Sequence, residues 1–263
     1  MNFVLIDGSY YIFYRYYALR VWWNKARHPD EPEEPSESER FIEKFCSTFI
    51  LKIKEIDKKL KLTNSIKLVG KDCPQQNIWR NNYTKNYKAG RSSVNNIAPF
   101  FKLAYDQKLF EKAGIKTILE YPTLEADDCI ALTTKYMSDK HTNINIYIIA
   151  NDQDYLQIAS SDIKIYDLKF KDITESKKCF KNPEKDLFCK IVAGDKSDNI
   201  SAIFPKCGIK TAEKYFENKE LFQKKLNEFP ESKLLYERNR NIIDFTCIPQ
   251  ELIDNFYKTV LKA

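Results

Sequence analysis

Carboxylates stand where the apolar runs of this chain stop. Phe3–Ile6 is a continuous apolar run, as a strand buried on both faces requires, and it ends at Asp7-Gly8-Ser9. A second run, Ser65–Val69, is followed by Asp72. Ile144–Ala150 (INIYIIA) has the strongest strand character in the chain and leads into Asp152 and Asp154. Between these, Ile115–Leu119 precedes a helical stretch, Glu125–Tyr136, whose first turn holds Glu125, Asp127 and Asp128. Ile163–Tyr166 is a further short run. Helical periodicity separates the runs: Phe41, Phe45, Phe49, Ile53, Ile56 and Leu60 recur at spacings of four and three, and Phe100–Ala113 also reads as helix. Strands alternating with helices specify an α/β fold with a mainly parallel sheet. Sites in such sheets gather outside the carboxyl ends of the strands. The acids therefore converge if the strands are neighbours.

Converging carboxylates repel one another unless a cation lies among them. An all-oxygen set without His or Cys selects a hard cation, Mg²⁺ with Mn²⁺ as substitute. The chemistry such clusters serve is phosphoryl transfer by a metal-activated water. A single Asp after a strand is more often a turn residue or helix cap. Glu125, Asp127 and Asp128 alone would suit a helix N-terminus through its dipole. Four separate acidic groups at strand ends shift the balance toward a metal cluster. Glu125 and Asp128, three apart, share one helix face, and Asp127 points off it.

Composition narrows the class further. In 263 residues, 43% are hydrophobic and 30% charged, enough apolar material for a core and too much for disorder. The net charge of +6 arises from 43 basic against 37 acidic residues, so position matters more than the total. Seven cysteines lack any C-x-x-C pair and read as reduced, buried thiols. His28 and His141 are too few for a zinc site or a His-based triad. Neither a leader sequence nor an apolar run of membrane-spanning length is visible, so a cytoplasmic protein is expected.

Three segments stand outside the strand–helix pattern. Residues 28–38 (HPDEPEEPSES) read as an exposed loop, with Ser36 and Glu39 fitting a capping box for the next helix. Trp79 to Arg91 interleaves Arg80, Lys85, Lys88 and Arg91 with Trp79, Tyr83 and Tyr87. Aromatics stack on unpaired bases while basic groups neutralise phosphates, although a solvated basic loop has the same composition. Gly194-Asp195-Lys196-Ser197-Asp198-Asn199-Ile200, then Phe204 to Ala212, reads as a helix–hairpin–helix. There Gly208 allows close approach, Lys206 and Lys210 flank it, and a helix N-terminus offers amides to phosphate.

In this order the motifs resemble those of the 5′–3′ exonuclease and flap endonuclease family, which includes the 5′-nuclease domain of bacterial DNA polymerase I and the free-standing phage exonucleases. The matching residues are Leu5-Ile6-Asp7-Gly8-Ser9, Asp72, Arg80, Tyr87-Lys88-Ala89-Gly90-Arg91, Glu125-Ala126-Asp127-Asp128, Asn151-Asp152-Gln153-Asp154, Gly194-Asp195-x-x-Asp198-Asn199-Ile200 and Gly208-x-Lys210-Thr211-Ala212. Ile203–Cys207 departs from the family's glycine-rich turn. The resemblance implies a PIN-like α/β nuclease core, a helical arch and a helix–three-turn–helix element. By resemblance, Asp7, Asp72, Glu125, Asp127 and Asp128 hold the first metal or its water shell, and Asp152, Asp154, Asp195 and Asp198 complete the cluster and a second metal region. It further implies that Lys88 and Arg80 meet the scissile phosphate and that Tyr87 stacks on the terminal nucleotide. Lys85, Arg91, Lys206, Gly208, Lys210 and Thr211 are expected to contact DNA, and K⁺ is a further candidate at the hairpin.

The expected organisation is a core over residues 1–183, with its arch at about 73–113, and a helical DNA-binding region over 184–263. The expected activity is a Mg²⁺-dependent, monomeric, stand-alone 5′-nuclease that acts on DNA 5′ ends and flaps, with RNA primers in RNA–DNA hybrids as a further target. Two rival readings are a nuclease-dead DNA-structure binder, which would gain nothing from such self-repulsion, and a PIN-type ribonuclease, against which the helix–hairpin–helix argues.

Overall fold

A computed structural model describes residues 1–89 and 96–262. The strands are β1 (Asn2–Asp7), β2 (Ile66–Gly70), β3 (Thr117–Leu119), β4 (Asn145–Ile149) and β5 (Ile163–Tyr166). They lie in one sheet in the order β3-β2-β1-β4-β5, and every neighbouring pair is parallel. Asp7 pairs with Gly70 and Ile6 with Ile149, so the carboxyl ends of β1, β2 and β4 are level. The chain leaves β1 toward β2 and β3, then crosses back to β4 and β5. The reversal beside β1 is the switch point at which such sheets open a crevice.

The apolar run of β1 is buried on both faces because helices cover both. On one face Val4, Ile6, Val69 and Ile149 pack under α1 (Gly8–Ala26), α2 (Glu39–Lys54), α4 (Ala98–Asp106) and α5 (Leu109–Lys112). The stripe Phe41, Phe45, Phe49 and Ile53 of α2 is fully buried there, followed by the short helix α3 (Ile56–Leu60). On the other face Phe3, Leu5, Leu68, Ile146 and Ile148 pack under α6 (Ala126–Lys140). The alternation of Phe3 and Leu5 with Val4 and Ile6 follows the pleat. The reading of Phe100–Ala113 as one helix is corrected: α4 and α5 are separated at Lys108, which takes a left-handed φ of 53°. The α2 cap is also corrected, since Ser38 accepts from the Phe41 amide at 3.2 Å after a 3₁₀ turn over Pro35–Glu37.

After residue 183 come α7 (Pro183–Ala193), α8 (Ile209–Glu217), α9 (Lys219–Glu228), α10 (Glu231–Ile243) and α11 (Gln250–Phe256). Val192, Phe204, Ala212, Tyr215 and Leu226 give α7, α8 and α9 a small core of their own. Phe245, Ile248 and Phe256 instead return to the core under the sheet. The last part of the chain thus packs against the sheet as well as against the other helices.

Candidate active site

Two glycines set the close packing at the strand ends. A Cβ on Gly8 would lie 2.6 Å from the Gly70 carbonyl oxygen, and one on Gly70 would lie 2.7 Å from the Ala126 carbonyl oxygen. Glycine therefore lets α1 start directly at β1 and lets α6 begin against β2. Asp7 both ends β1 and caps α1, its Oδ1 accepting from the Tyr10 amide at 2.9 Å and its Oδ2 from the Tyr155 hydroxyl at 3.3 Å. Asp72 accepts from the Ala126 amide at 2.8 Å and from the Ser9 hydroxyl. These bonds aim both carboxylates into the crevice.

Asp7, Asp72, Asp127 and Asp152 line one cavity of about 200 Å³ together with Lys88 and Phe13. Burial, then the Asp72 charge, pushes the Asp7 carboxyl up to about 7. Burial, then Asp128, raises Asp127 well above the usual carboxylate range. Carboxyls whose pKa values are raised by crowding and burial fit a hard divalent cation, which would relieve that repulsion. The Glu125, Asp127 and Asp128 ligand atoms also lie within 4.8 Å of one another.

The expected face of α6 is real, but Glu125 and Asp128 lie just behind the cavity and do not line it. Glu125 and Asp128 form a reciprocal cap, with the Glu125 amide donating to Asp128 Oδ2 at 3.1 Å, and both carboxylates are buried. Asp128 accepts from Trp79 Nε1 at 2.9 Å and from both terminal nitrogens of Arg80 at 2.7 Å. Arg80 also donates to Glu125 at 2.9 Å and, through Nε, to the Ile242 carbonyl of α10 at 2.7 Å. Its side chain is 2% exposed. The role of Arg80 at the scissile phosphate is corrected on this ground: its donors already serve two carboxylates and a carbonyl. Tyr87 is corrected likewise. Its ring is 4% exposed among Ile191, Ile200, Ile242 and Ile243, and its hydroxyl donates to Glu125 at 3.1 Å, so it presents no face to a nucleotide.

Lys88 lies between the buried network and the cavity. Its Nζ pairs with Glu125 and is 4.0 Å from Asp198. Its backbone takes φ 55° and donates to the Asp198 carbonyl at 3.0 Å. Although burial opposes its charge, Glu125 holds the Lys88 ammonium well above its usual range. Lys85 is exposed nearby, and Arg91 lies outside the described residues.

A second acidic group surrounds Lys190 of α7, a residue absent from the sequence reading. Its Nζ contacts Asp154, is 3.0 Å from Asp195 and is 3.7 Å from Asp152. Burial raises Asp154 to about 6 even against Lys190, whereas Lys190 and the Ser197 hydroxyl overcome burial and hold Asp195 at about 2. The signal was present in the sequence: one lysine interrupts the apolar helix run Leu187–Ala193, five residues before Asp195.

The hairpin after α7 is built on Gly194, at φ 70°, where a Cβ would lie 2.4 Å from the Ile200 carbonyl oxygen. Asp195 and Ile200 exchange backbone bonds of 2.9 and 2.7 Å. Asn199 donates to the Asn86 carbonyl at 3.0 Å, joining the hairpin to the Lys88 segment. Lys206, at φ 56°, and Lys210 are exposed. Gly208 caps α8 with open space beside it, and its carbonyl accepts from the Thr211 amide at 2.9 Å.

A family model described as 5′-3′ exonuclease, N-terminal resolvase-like domain, matches residues 2–196. A 5′-3′ exonuclease of Buchnera aphidicola subsp. Acyrthosiphon pisum (strain APS) is 32% identical over 218 residues, covering 80% of this chain and 68% of that protein. A 5′-3′ exonuclease of Mycoplasmopsis pulmonis (strain UAB CTIP) is 27% identical over 211 residues, covering 77% and 62%. Among solved structures, the T5 5′-exonuclease with bound zinc ions matches 100% of this chain and 99% of its own at TM-score 0.69 and 17% identity. The bacteriophage T5 flap endonuclease in a pseudo-enzyme–product complex with DNA and metal ions matches 100% and 98% at TM-score 0.66 and 17% identity. At these identities the structural likeness establishes the PIN-like nuclease fold.

Proposed function

This chain belongs to the 5′-3′ exonuclease family, and we propose that it hydrolyses phosphodiester bonds of DNA at 5′ ends and flaps. The observation that carries the reading is the convergence of Asp7, Asp72, Asp127 and Asp152 from separate strand ends on one cavity beside Lys88. The T5 protein crystallised with DNA and metal ions supports it. We assign Asp7, Asp72, Asp127 and Asp152 as the carboxylates that would hold a divalent cation, Mg²⁺ with Mn²⁺ as substitute. A cation bound there would lower the pKa of its water and offset charge on the phosphate oxygens.

The protein's own groups do the rest. Lys88 presents a compact positive charge to a phosphate in the cavity, where charge builds during cleavage. Arg80 is a positioning residue that holds Glu125 and Asp128, and through them the first turn of α6 that carries Asp127. Asp154, Asp195 and Lys190 form a partly neutralised flank that the second metal region would share with Asp152, and Asp198 steers Lys88 through its backbone. Lys206, Lys210 and the α8 N-terminus grip backbone phosphates without reading bases, and K⁺ is assigned to the Asn199–Gly208 turn. RNA–DNA hybrids are a further substrate class, the core and helical region divide near residue 183, and the protein acts as a monomer.

Flap, nicked and single-stranded substrates labelled at either end and incubated with Mg²⁺ or EDTA test the reading. Cleavage should start from the 5′ side, prefer flaps and cease in EDTA. Undiminished cleavage in EDTA, or loss of nucleotides from the 3′ end, would overturn it.

A further inference from the structure

Beside the Lys190 cluster a larger recess of about 810 Å³ opens between α7, the turn into α8 and the segment that follows β5. Asp152, Lys190 and Asp195 form its inner end, so it continues outward from the acidic centre. Lys177 and Lys178 come from the segment after β5, Lys196 from the hairpin and Lys210 from α8. All four are exposed.

The carboxylates of these walls are occupied internally. Asp186 accepts from the Phe180 amide at 3.0 Å and the Cys179 thiol at 3.4 Å. Glu213 pairs with Lys185 at 2.8 Å, and Asp195 and Asp152 face Lys190. The neighbouring lysines Lys181 and Lys185 are likewise paired, with Glu175 and with Glu213 and Glu217. Among the described residues, none of Lys177, Lys178, Lys196 and Lys210 forms an ion pair. Uncompensated cations around a concave wall concentrate a polyanion. Flexible point charges hold phosphates without reading sequence.

We propose that Lys177 and Lys178 form a second backbone-phosphate clamp, which grips a DNA duplex as it leaves the acidic centre from the side facing Lys196 and Lys210. The partner is duplex DNA, so the inference rests on the nuclease reading, and the experiment separates the two. Wild type, Lys177→Ala/Lys178→Ala and a control, Lys58→Ala/Lys59→Ala on α3, are titrated in EDTA against labelled duplexes of two unrelated sequences over a KCl series. The clamp variant should bind on the order of tenfold more weakly near 0.1 M salt, equally for both sequences, with a salt slope lower by about two. The control should match wild type. The same wild-type preparation is assayed for Mg²⁺-dependent cleavage. If it does not cleave but the clamp variant loses affinity as stated, the nuclease reading fails and the clamp stands. If wild type cleaves while the clamp variant keeps the control's affinity and slope, or loses affinity for one sequence only, the clamp is overturned.

Discussion

Asp127 and Asp128 are adjacent in the chain, and although their carboxylates lie close together their partners differ. Asp127 enters the acidic cavity, while Asp128 is fully buried and receives Trp79, Arg80 and the Glu125 amide. Removing one partner of a buried ion pair strands the other charge, at a cost of about 3–5 kcal/mol. Asp128→Asn should therefore lower thermal stability substantially. Asp127→Asn should hold stability level or raise it, because a repelling charge leaves the cavity, while metal-dependent cleavage falls. Denaturation midpoints and single-turnover rates for the two variants check this; equal destabilisation would sink the division of roles. Lys88 is the second residue to test. Removing one contact that stabilises developing charge costs on the order of 10²–10³ in rate. Lys88→Ala should slow single-turnover cleavage by that order and change affinity only a few-fold, with Lys58→Ala as control. Wild-type rates for both would withdraw the assignment.

At the scale of elements, the site depends on a helix distant in sequence. The Ile242 carbonyl at the end of α10 accepts from Arg80, and Gln157 ties the next residues to the second acidic group. Its Nε2 donates to the Ile243 carbonyl at 3.0 Å and the Asp154 carbonyl at 2.9 Å, and its Oε1 accepts from the Phe245 amide at 2.9 Å. Gln157→Leu would remove the side-chain partner of the Ile243 carbonyl and the Phe245 amide, a cost of about 1–3 kcal/mol for each one left buried and unpaired. The expected outcome is lower stability in urea together with faster hydrogen exchange at the Phe245 amide. Unchanged exchange there would mean that Gln157 does not hold the joint. Asn199 makes a similar joint between the hairpin and the Asn86 carbonyl, two residues from Lys88. DNA gripped at the hairpin, as proposed, would thereby be linked to the residue assigned to the phosphate.

For the whole molecule, the acidic centre makes stability depend on pH and cation together. Asp7 is pushed up to about 7 and Asp154 to about 6 in the folded protein, from an ordinary value of 3.8. The folded state then binds protons that the unfolded chain has released, so these groups weaken the fold as pH rises from about 4 to about 7. Asp195, held at about 2, contributes stability that is lost only below the ordinary value of 3.8, outside this window. A divalent cation at the acids, as proposed, would offset the penalty where they are ionised. Mg²⁺ should therefore raise the calorimetric midpoint more at pH 8 than at pH 5, and in EDTA the midpoint should fall between those values. A Mg²⁺ effect equal at both would contradict the cluster. No helix among the described residues is long and apolar enough to cross a membrane.

The strand order of chemistry was legible in the residues themselves. Phe3–Ile6 and Ile144–Ala150 could be read as buried strands because their apolar continuity requires cover on both faces, and Asp7, Asp72 and Asp152 follow from the topology of parallel strands. The division of Glu125 and Asp128 from Asp127 also follows from helical spacing alone. Which side of α6 faces the cavity did not, because that depends on where Arg80, Trp79 and α10 pack. Arg80 and Tyr87 look like surface groups in a basic, aromatic stretch, yet isoleucines from α7, the hairpin and α10 enclose Tyr87, while two carboxylates enclose the guanidinium. Lys190 is hidden in an apolar helix run until α7 lies against the Asp152–Asp154 turn. Sequence periodicity records how a segment meets its own element. The partner of a buried charge is set by contacts between elements far apart in the chain, and only the tertiary packing decides those.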